Sequence, residues 1–317
     1  MYCDIPPDRE YIDELKNFLA ETYGIRATAV TPAKRGYYGE TWKLQAADGA
    51  YFAKLDYLLH HQDRFRSSLS VMDYLCVQGI DFIGRIVKTR DGQLCSAFHS
   101  GVLGLFAWIN GENVETDETK TPEYQLLCRI YSLTKPGFPI PSADFSAQAA
   151  SRFYESWDKL KSAPKTRGGD AILSVFEQHK DRIAHCASRL SHFASVCRRD
   201  TGDFYFTHGD AGGNFFIGHG KHYIVDWDEV MYAPLERDAW VMCCHAWARE
   251  LFDNTLREHG IAYKLRPERL AFYCYHMFFF YLDEFMECLP FWDMSERVQD
   301  YLEDGWIEER TLFADTI

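Results

Sequence analysis

Two carboxylates and one amide oxygen, spaced along a short β-rich stretch, are the side chains of this sequence best suited to chemistry. The stretch reads Phe206-Thr-His-Gly-Asp-Ala-Gly-Gly-Asn-Phe-Phe-Ile-Gly218 and resumes as Tyr223-Ile-Val-Asp-Trp-Asp-Glu229. Asp210 leaves a strand and enters a tight glycine-rich loop, and Asn214 follows four residues later. Asp226 closes another strand after a hairpin at 218–221. Moving a phosphoryl group onto a hydroxyl needs such a set: a carboxylate to orient or deprotonate the acceptor, and hard oxygen donors for Mg²⁺. Mg²⁺ takes few protein ligands alongside phosphate oxygens, so one Asn and one Asp suffice.

The elements that must position these residues fall into two groups. Pro7 and Asp8 open a helix whose apolar stripe is Tyr11, Ile12, Leu15, Phe18 and Leu19, and Gly24 stops it. Strands are predicted over 27–30, 41–45, 51–55, 86–89 and 94–98, with hairpin turns at Asp48-Gly49 and Asp91-Gly92. Between the third and fourth, residues 61–77 carry Phe65, Leu69, Met72 and Leu75 at helical spacing, with Gly79 just past the end. The first 110 residues therefore predict a five-stranded antiparallel sheet with one inserted helix. From 111 to 317 the pattern is mainly helical, over 122–133, 151–160, 171–197, 238–259, 266–288 and near 294–302. A proline-rich connector at 135–145 and a β island at 204–207, 214–217 and 223–225 interrupt it. This is an α+β bilobal plan, and such plans seat ligands in the cleft between lobes.

Composition narrows the function classes. At about 150 residues per domain, 317 residues predict two lobes with ample core. A net charge of −13 argues against a nucleic-acid partner and favours a cationic small molecule. The longest apolar run, 271–282, is interrupted by His276 and falls short of the ~18 residues that span a bilayer, so no membrane partner is expected. The acidic, polar start is unlike a signal peptide. The ten cysteines form no CxxC pair, which reads as reduced thiols in a cytoplasmic protein.

His208-Gly209-Asp210, then Asn214, then Val225-Asp226-Trp227-Asp228 resembles the signature of the aminoglycoside phosphotransferase and choline kinase superfamily, whose fold is that of the protein kinases. The resemblance implies that Asp210 is the catalytic carboxylate. It also implies that Asn214 and Asp226 hold Mg²⁺, with Asp228 an extra or water-mediated contact. Gly36 and Gly39 fall where the family folds a loop over the nucleotide phosphates, and Lys54 is similar to its strand lysine on the α and β phosphates. Phe106 and Trp108, in 106–111, fall at the hinge that holds adenine. Residues 233–238 and the helix around 272–284 resemble spectinomycin-type phosphotransferases, which places Asp283, Glu284 and Glu287 near the acceptor.

The resemblance implies a Mg²⁺-dependent kinase that moves the γ-phosphate of ATP or GTP to a hydroxyl, acting as a monomer or homodimer. An aminoglycoside or aminocyclitol acceptor, and with it antibiotic resistance, is the leading expectation; choline, homoserine and sugar acceptors stay open. A non-catalytic kinase-like scaffold of the spore-coat type is the alternative. Two departures support that alternative. The family spaces its Asn five residues after the Asp rather than four, and the helix Glu that pairs with the strand lysine is missing, leaving the shorter Asp63 or Asp73, or nothing, in its place. Taken singly, Lys54 reads as a solvated strand lysine, Gly36 and Gly39 as a hairpin turn, and His208 as a buried structural residue. His219 and His222 read as a solvated turn, His60 and His61 as a helix start, and 273–281 as helix core. Asp283, Glu284 and Glu287 read as a solvated helix face.

Overall fold

The computed structural model describes residues 9–33, 39–164, 166–199, 202–289 and 293–317. The chain begins with α1 (Arg9–Thr22), β1 (Ala27–Pro32), β2 (Gly39–Ala46), β3 (Gly49–Asp56) and α2 (Leu59–Val77). It continues with β4 (Cys95–Phe98), β5 (Gly101–Ala107), β6 (Glu112–Asn113) and α3 (Lys120–Tyr131). Helices α4 (Gln148–Ser162), α5 (Arg167–Gln178) and α6 (Lys180–Cys197) lead to β7 (Tyr205–Thr207), β8 (Phe215–Gly218), β9 (Lys221–Ile224) and β10 (Met231–Ala233). The last helices are α7 (Glu236–Ala239), α8 (Ala246–Glu258), α9 (Pro267–Cys288), α10 (Ser295–Glu303) and α11 (Trp306–Asp315). By contacts these form two compact units, 1–141 with 208–232, and 142–207 with 233–317.

The first unit is built on an antiparallel five-stranded sheet in the order β1-β2-β3-β5-β4. Leu15 and Leu19 of α1 bury against Trp42, Leu44, Leu55 and Leu103 in one core. Gly79 at φ 87° closes α2, its N–H bonded to Cys76 O, as the sequence predicts. The start of α1 at Pro7 and Asp8 lies outside the described residues. Residues 208–232 return to this unit, where β8 pairs with both β6 and β9.

The strand count agrees with expectation, but one member differs. Residues 86–89 are not a strand: Ile86 makes an isolated bridge to Phe106, and Val87 N–H bonds Leu105 O. The fifth strand is instead β5, buried along almost its whole length. A strand covered on both faces loses the polar–apolar alternation that marks a half-buried one, which is why Gly101-Val-Leu-Gly-Leu-Phe-Ala107 does not stand out in the sequence. The hairpin turn of this pair lies between Phe98 and Gly101, with His99 at φ 50°.

In the second unit α9 is almost wholly buried and packs with α4, α6 and α11 around one aromatic core. An all-round apolar helix is stable only when covered on every side. Two predicted helices are broken. The stretch 171–197 divides at His179, which ends α5 and starts α6 without a Gly or Pro to mark it. The stretch 238–259 divides at a turn between α7 and α8, where the Arg249 guanidinium holds the carbonyls of Cys243 and Cys244 at 2.7 and 2.9 Å. Helix α11 has no counterpart among the predicted elements. Among the described residues no helix is long and apolar enough to cross a membrane, and the cysteines there are free thiols.

Gly39 pairs with Asp56, and a Cβ at Gly39 would lie 1.7 Å from the Leu55 carbonyl oxygen. Gly39→Ala must therefore push β2 from β3, and we expect a loss of about 2 kcal/mol or more in denaturant unfolding. A variant as stable as the parent would show that this close approach is relaxed in solution.

Candidate active site

The site is organised by one buried cation. Lys54 sits on β3, the middle strand of the sheet, with Thr41 and Gly104 as its cross-strand neighbours. Gly104 leaves room for the Phe65 ring, since a Cβ there would meet Phe65 Cζ at 2.7 Å. Lys54 Nζ lies 6.0 Å from the centre of that ring, 2.6 Å from Asp226 Oδ1 and 2.5 Å from Asp228 Oδ2. Burial alone disfavours the ammonium, but the two carboxylates outweigh it and raise Lys54 above the ordinary lysine value.

The two aspartates are driven apart by the same contacts. Burial pushes Asp226 up, yet the Lys54 charge and hydrogen bond hold it below the usual carboxylate range. For Asp228, burial joined by the neighbouring Asp226 charge prevails over Lys54 and pushes it up to about 6. Asp226 adopts φ 63°, ψ 60°, a left-handed conformation uncommon for a residue with a side chain. Such strain concentrates at functional sites and persists only where surrounding contacts enforce it. Here the enforcing contact is Trp227, 1% exposed, whose indole N–H bonds Ile224 O at 2.9 Å.

The loop after β7 closes tightly. His208 is buried, with Nε2 2.8 Å from Val225 O and Nδ1 accepting the Asp210 N–H at 3.2 Å, which assigns a neutral ring protonated on Nε2. Its role is thus to tie the loop to the Asp226 strand, as expected of a buried structural histidine. Gly209 at φ 90° makes the bend, and residues 212–214 form a 3₁₀ turn. Across that turn the Asn214 amide donates to Asp210 O at 2.9 Å and to Asp210 Oδ2 at 3.1 Å. The four-residue spacing therefore still sets Asn214 on Asp210, with the Asn214 Oδ1 left as an acceptor.

Two neighbours of this loop carry no signal in the sequence. Asn113 donates its amide to Gly213 O at 2.6 Å. Lys120, 2% exposed, pairs with Glu123 at 2.9 Å and Glu115 at 3.5 Å, and a Cβ on Gly212 would fall 2.7 Å from its Nζ. A side chain at 212 would therefore have to displace the Lys120 ammonium.

A second charged ring lies beside Lys54. His61, on the first turn of α2, bonds the fully buried Asp56 carboxylate through Nδ1 and lies 3.3 Å from Glu229 Oε1 through Nε2. Arg64 pairs with the same Glu229. Burial would lower His61, but Asp56 and Glu229 raise it to about 9, so the ring is an imidazolium at neutral pH. The residue of α2 beside Lys54 is the apolar Phe65, and the expected substitutes for a helix Glu do not serve: Asp63 is exposed and Asp73 pairs with Lys88 at 2.8 Å. The carboxylates that neutralise Lys54 come from residues 226 and 228 instead. An Asp two residues after Lys54 and a His five further on is the available signal for the second ring.

The remaining predicted residues lie in varied settings. Gly36 lies outside the described residues, and Gly39 is held by strand pairing. Phe106 is 7% exposed inside β5 opposite Phe52, so its backbone belongs to the sheet rather than to a linker. Trp108 follows β5, its N–H committed to Ala50 O at 3.0 Å and its ring covered by Lys43 Nζ at 4.3 Å. In the second unit Asp283 is buried on α9 and accepts from Arg152 Nε at 3.1 Å and Ser156 Oγ at 3.0 Å of α4. Glu284 is half-buried and Glu287 exposed. His219 is an exposed turn residue at φ 51°, as expected.

The donor set of Asn214, Asp226 and Asp228 is all oxygen, which suits Mg²⁺ and not a softer ion. One ammonium, Lys54, faces the two carboxylates of Asp226 and Asp228. The residues present fit a bound divalent cation.

Comparison with known proteins gives the family and the fold. A model of the phosphotransferase enzyme family matches residues 29–273. Among solved structures, the chain is similar to spectinomycin phosphotransferase APH(9)-Ia, solved with ADP and spectinomycin, at 18% identity and TM-score 0.79, covering 96% of this chain and 98% of that one. It is also similar to a microcompartment-associated aminopropanol kinase at 13% identity and TM-score 0.61, covering 96% of each chain. The amicoumacin kinase hAmiN, solved in complex with AMP-PNP, Ca²⁺ and Ami, matches at 12% identity and TM-score 0.60, covering 98% of this chain and 94% of that one. A search of curated proteins finds no significant match. At these identities the structural likeness speaks to fold, and the fold is the mixed α/β one of these kinases.

The His61 ring yields a stability test. A histidine whose folded pKa is raised from about 6.5 to about 9 adds stability that is complete below 6.5 and lost as pH rises through 9. The charged groups facing it are Asp56, Glu229 and Asp228, with Arg64 behind Glu229. His61→Gln, which leaves Asp56 buried beside a neutral amide, should cost about 3 kcal/mol at pH 6.5. The gap between parent and variant should close by pH 9.5 in thermal melts; a gap independent of pH would contradict a charged His61.

Proposed function

The chain belongs to the phosphotransferase enzyme family, and from that premise we propose that it is a small-molecule kinase moving the γ-phosphoryl group of a nucleoside triphosphate onto an alcohol. The observation that carries the reading is the Lys54 ammonium held between Asp226 and Asp228, with Asp210 and Asn214 hydrogen-bonded to each other on the adjoining loop. A lysine so placed can turn from carboxylate to phosphate oxygen when a nucleotide enters, at little electrostatic cost. Asn214, Asp226 and Asp228 would hold Mg²⁺, which when bound with nucleotide neutralises phosphate charge.

Asp210 is an exposed carboxylate on the loop after β7, held by Asn214 and separate from the Lys54 ion pairs of Asp226 and Asp228, and we assign it to the acceptor. It accepts a hydrogen bond from the attacking hydroxyl and takes its proton as the oxygen–phosphorus bond forms. The bond from the γ-phosphorus to the bridging oxygen breaks, and the diphosphate leaves with that oxygen. The amide of Asn214 fixes the Asp210 carboxylate, and the His208 bridge fixes the backbone under it. Net charge and the likeness to spectinomycin phosphotransferase support a cationic aminocyclitol or aminoglycoside acceptor. Asp283, being committed to Arg152 and Ser156, would act by holding α4 to α9, leaving direct acceptor contact to Glu284 and Glu287.

The test is phosphate transfer from Mg·ATP and Mg·GTP to spectinomycin, other aminocyclitols and aminoglycosides, choline and amino-alcohols. Asp210→Asn should keep nucleotide affinity within a few-fold and lower turnover by roughly 10²-fold or more. Asp226→Asn should instead weaken Mg·nucleotide binding, read as a lost thermal shift. A parent chain that shows no nucleotide-dependent shift, with or without Mg²⁺, would sink the proposal. Nucleotide binding with no transfer to any acceptor, and no change in Asp210→Asn, would favour the non-catalytic alternative.

A further inference from the structure

A second set of ligand-type side chains lies in the other unit, at the turn that breaks α7 from α8. Cys244 and His245 are consecutive there, and Glu309 stands on the first turn of α11. One ligand atom from each lies within 4.8 Å of the others, and His245 Nδ1 is 3.5 Å from Glu309 Oε1. Bond lengths of about 2.0–2.3 Å put ligand atoms of a tetrahedral zinc ion about 3.3–3.8 Å apart, so a small rotation of the cysteine closes the set. Among the described residues no other trio of His, Cys or carboxylate side chains is so arranged.

The surroundings hold these groups in place. Arg249 Nη1 grips the carbonyls of Cys243 and Cys244, fixing the turn. The His245 ring stacks on Trp247 at 6.2 Å and 14°. Arg310 takes the other oxygen of Glu309, Oε2, at 3.5 Å, so that Oε1 faces His245. Outer contacts that orient ligands in this way are what tune metal sites. His245 and Glu309 keep 30% and 53% exposure, which leaves an entry path and room for a water.

We propose that Cys244, His245 and Glu309 form a site for a zinc-type divalent ion, with three protein ligands and a fourth position open to water. The sulfur selects against Mg²⁺, so the site is chemically distinct from the all-oxygen set at Asp226. Burial keeps Cys244 a thiol when no metal is bound, so the metal–sulfur bond forms as the S–H bond breaks and one proton passes to solvent. The ion would clasp the turn before α8 to α11.

Cobalt(II) titration of the full reduced chain tests this. The expected result is a near-ultraviolet thiolate-to-cobalt band with visible bands of four-coordinate geometry, saturating near one equivalent and abolished by Zn²⁺. Cys244→Ser should lose the near-ultraviolet band, and His245→Ala and Glu309→Gln should each weaken binding about ten-fold or more. The latter two positions are exposed enough to serve if the serine variant fails to fold. Cobalt held by Asp226 and Asp228 cannot give a thiolate band, so the sites are told apart by colour alone. No such band in the parent, or a band unaltered in all three variants, overturns the proposal.

Discussion

A buried ammonium cannot stand alone, and the first unit is arranged around meeting that demand. Lys54 is in the middle strand, shielded from solvent, and the carboxylates on its Nζ come from residues 226 and 228. Holding an uncompensated charge in such a place costs several kcal/mol, so the return of 208–232 to this unit is an electrostatic requirement as much as a packing one. That requirement is met by more than one pair. His61 and Arg64 add two cations, Asp56 and Glu229 add two anions, and the cluster with Lys54, Asp226 and Asp228 keeps one anion in excess. Asp228, raised by burial and then by the neighbouring Asp226 charge, lies within this cluster. A divalent ion entering with polyphosphate, itself anionic, can relieve that excess without dismantling the rest.

The same electrostatics explain what could be read from sequence. Asp210, Asn214, Asp226 and Lys54 carry their types and order openly, because chemistry restricts each to one or two residue kinds. Asp56, His61 and Glu229 do not. A His at a helix start is ordinary, and its meaning appears only when Asp56 and Glu229 are folded against its two nitrogens. Of the alternatives for the missing helix Glu, the structure takes the one with no acidic substitute on α2: the neighbouring position holds Phe65, whose ring needs the space that Gly104 leaves. Strand β5 was hidden for a related one, since burial on both faces erases its alternation. Helices α5 and α6 merge in the sequence because His179 interrupts them with no change in periodicity.

The shortened loop shows how a departure in spacing can be absorbed locally. Removing one residue between Asp210 and Asn214 forces a tighter turn, and a 3₁₀ turn supplies it. That turn brings residue 212 against the Lys120 ammonium, and a Cβ at 213 would lie 3.0 Å from Asp210 Oδ1, so glycines keep both close approaches relaxed. Asn113, through its hydrogen bond to Gly213 O, then holds a segment that two consecutive glycines would otherwise leave loose.

Phosphate handling and acceptor choice thus rest on different kinds of constraint in this chain. The groups assigned to the nucleotide lie within one unit and are tied by ion pairs of 2.5–2.6 Å and by main-chain bridges, so few substitutions preserve them. Of the groups assigned to the acceptor, Asp210 lies on the loop after β7, while Glu284 and Glu287 lie on α9, most of which is buried in the core. Asp283 illustrates the distinction: its position on α9 suggested a ligand contact, and its two hydrogen bonds to α4 give it a structural task. A carboxylate already satisfied by an arginine and a serine offers little to a cationic guest, because displacing them returns a buried charge to an unpaired state.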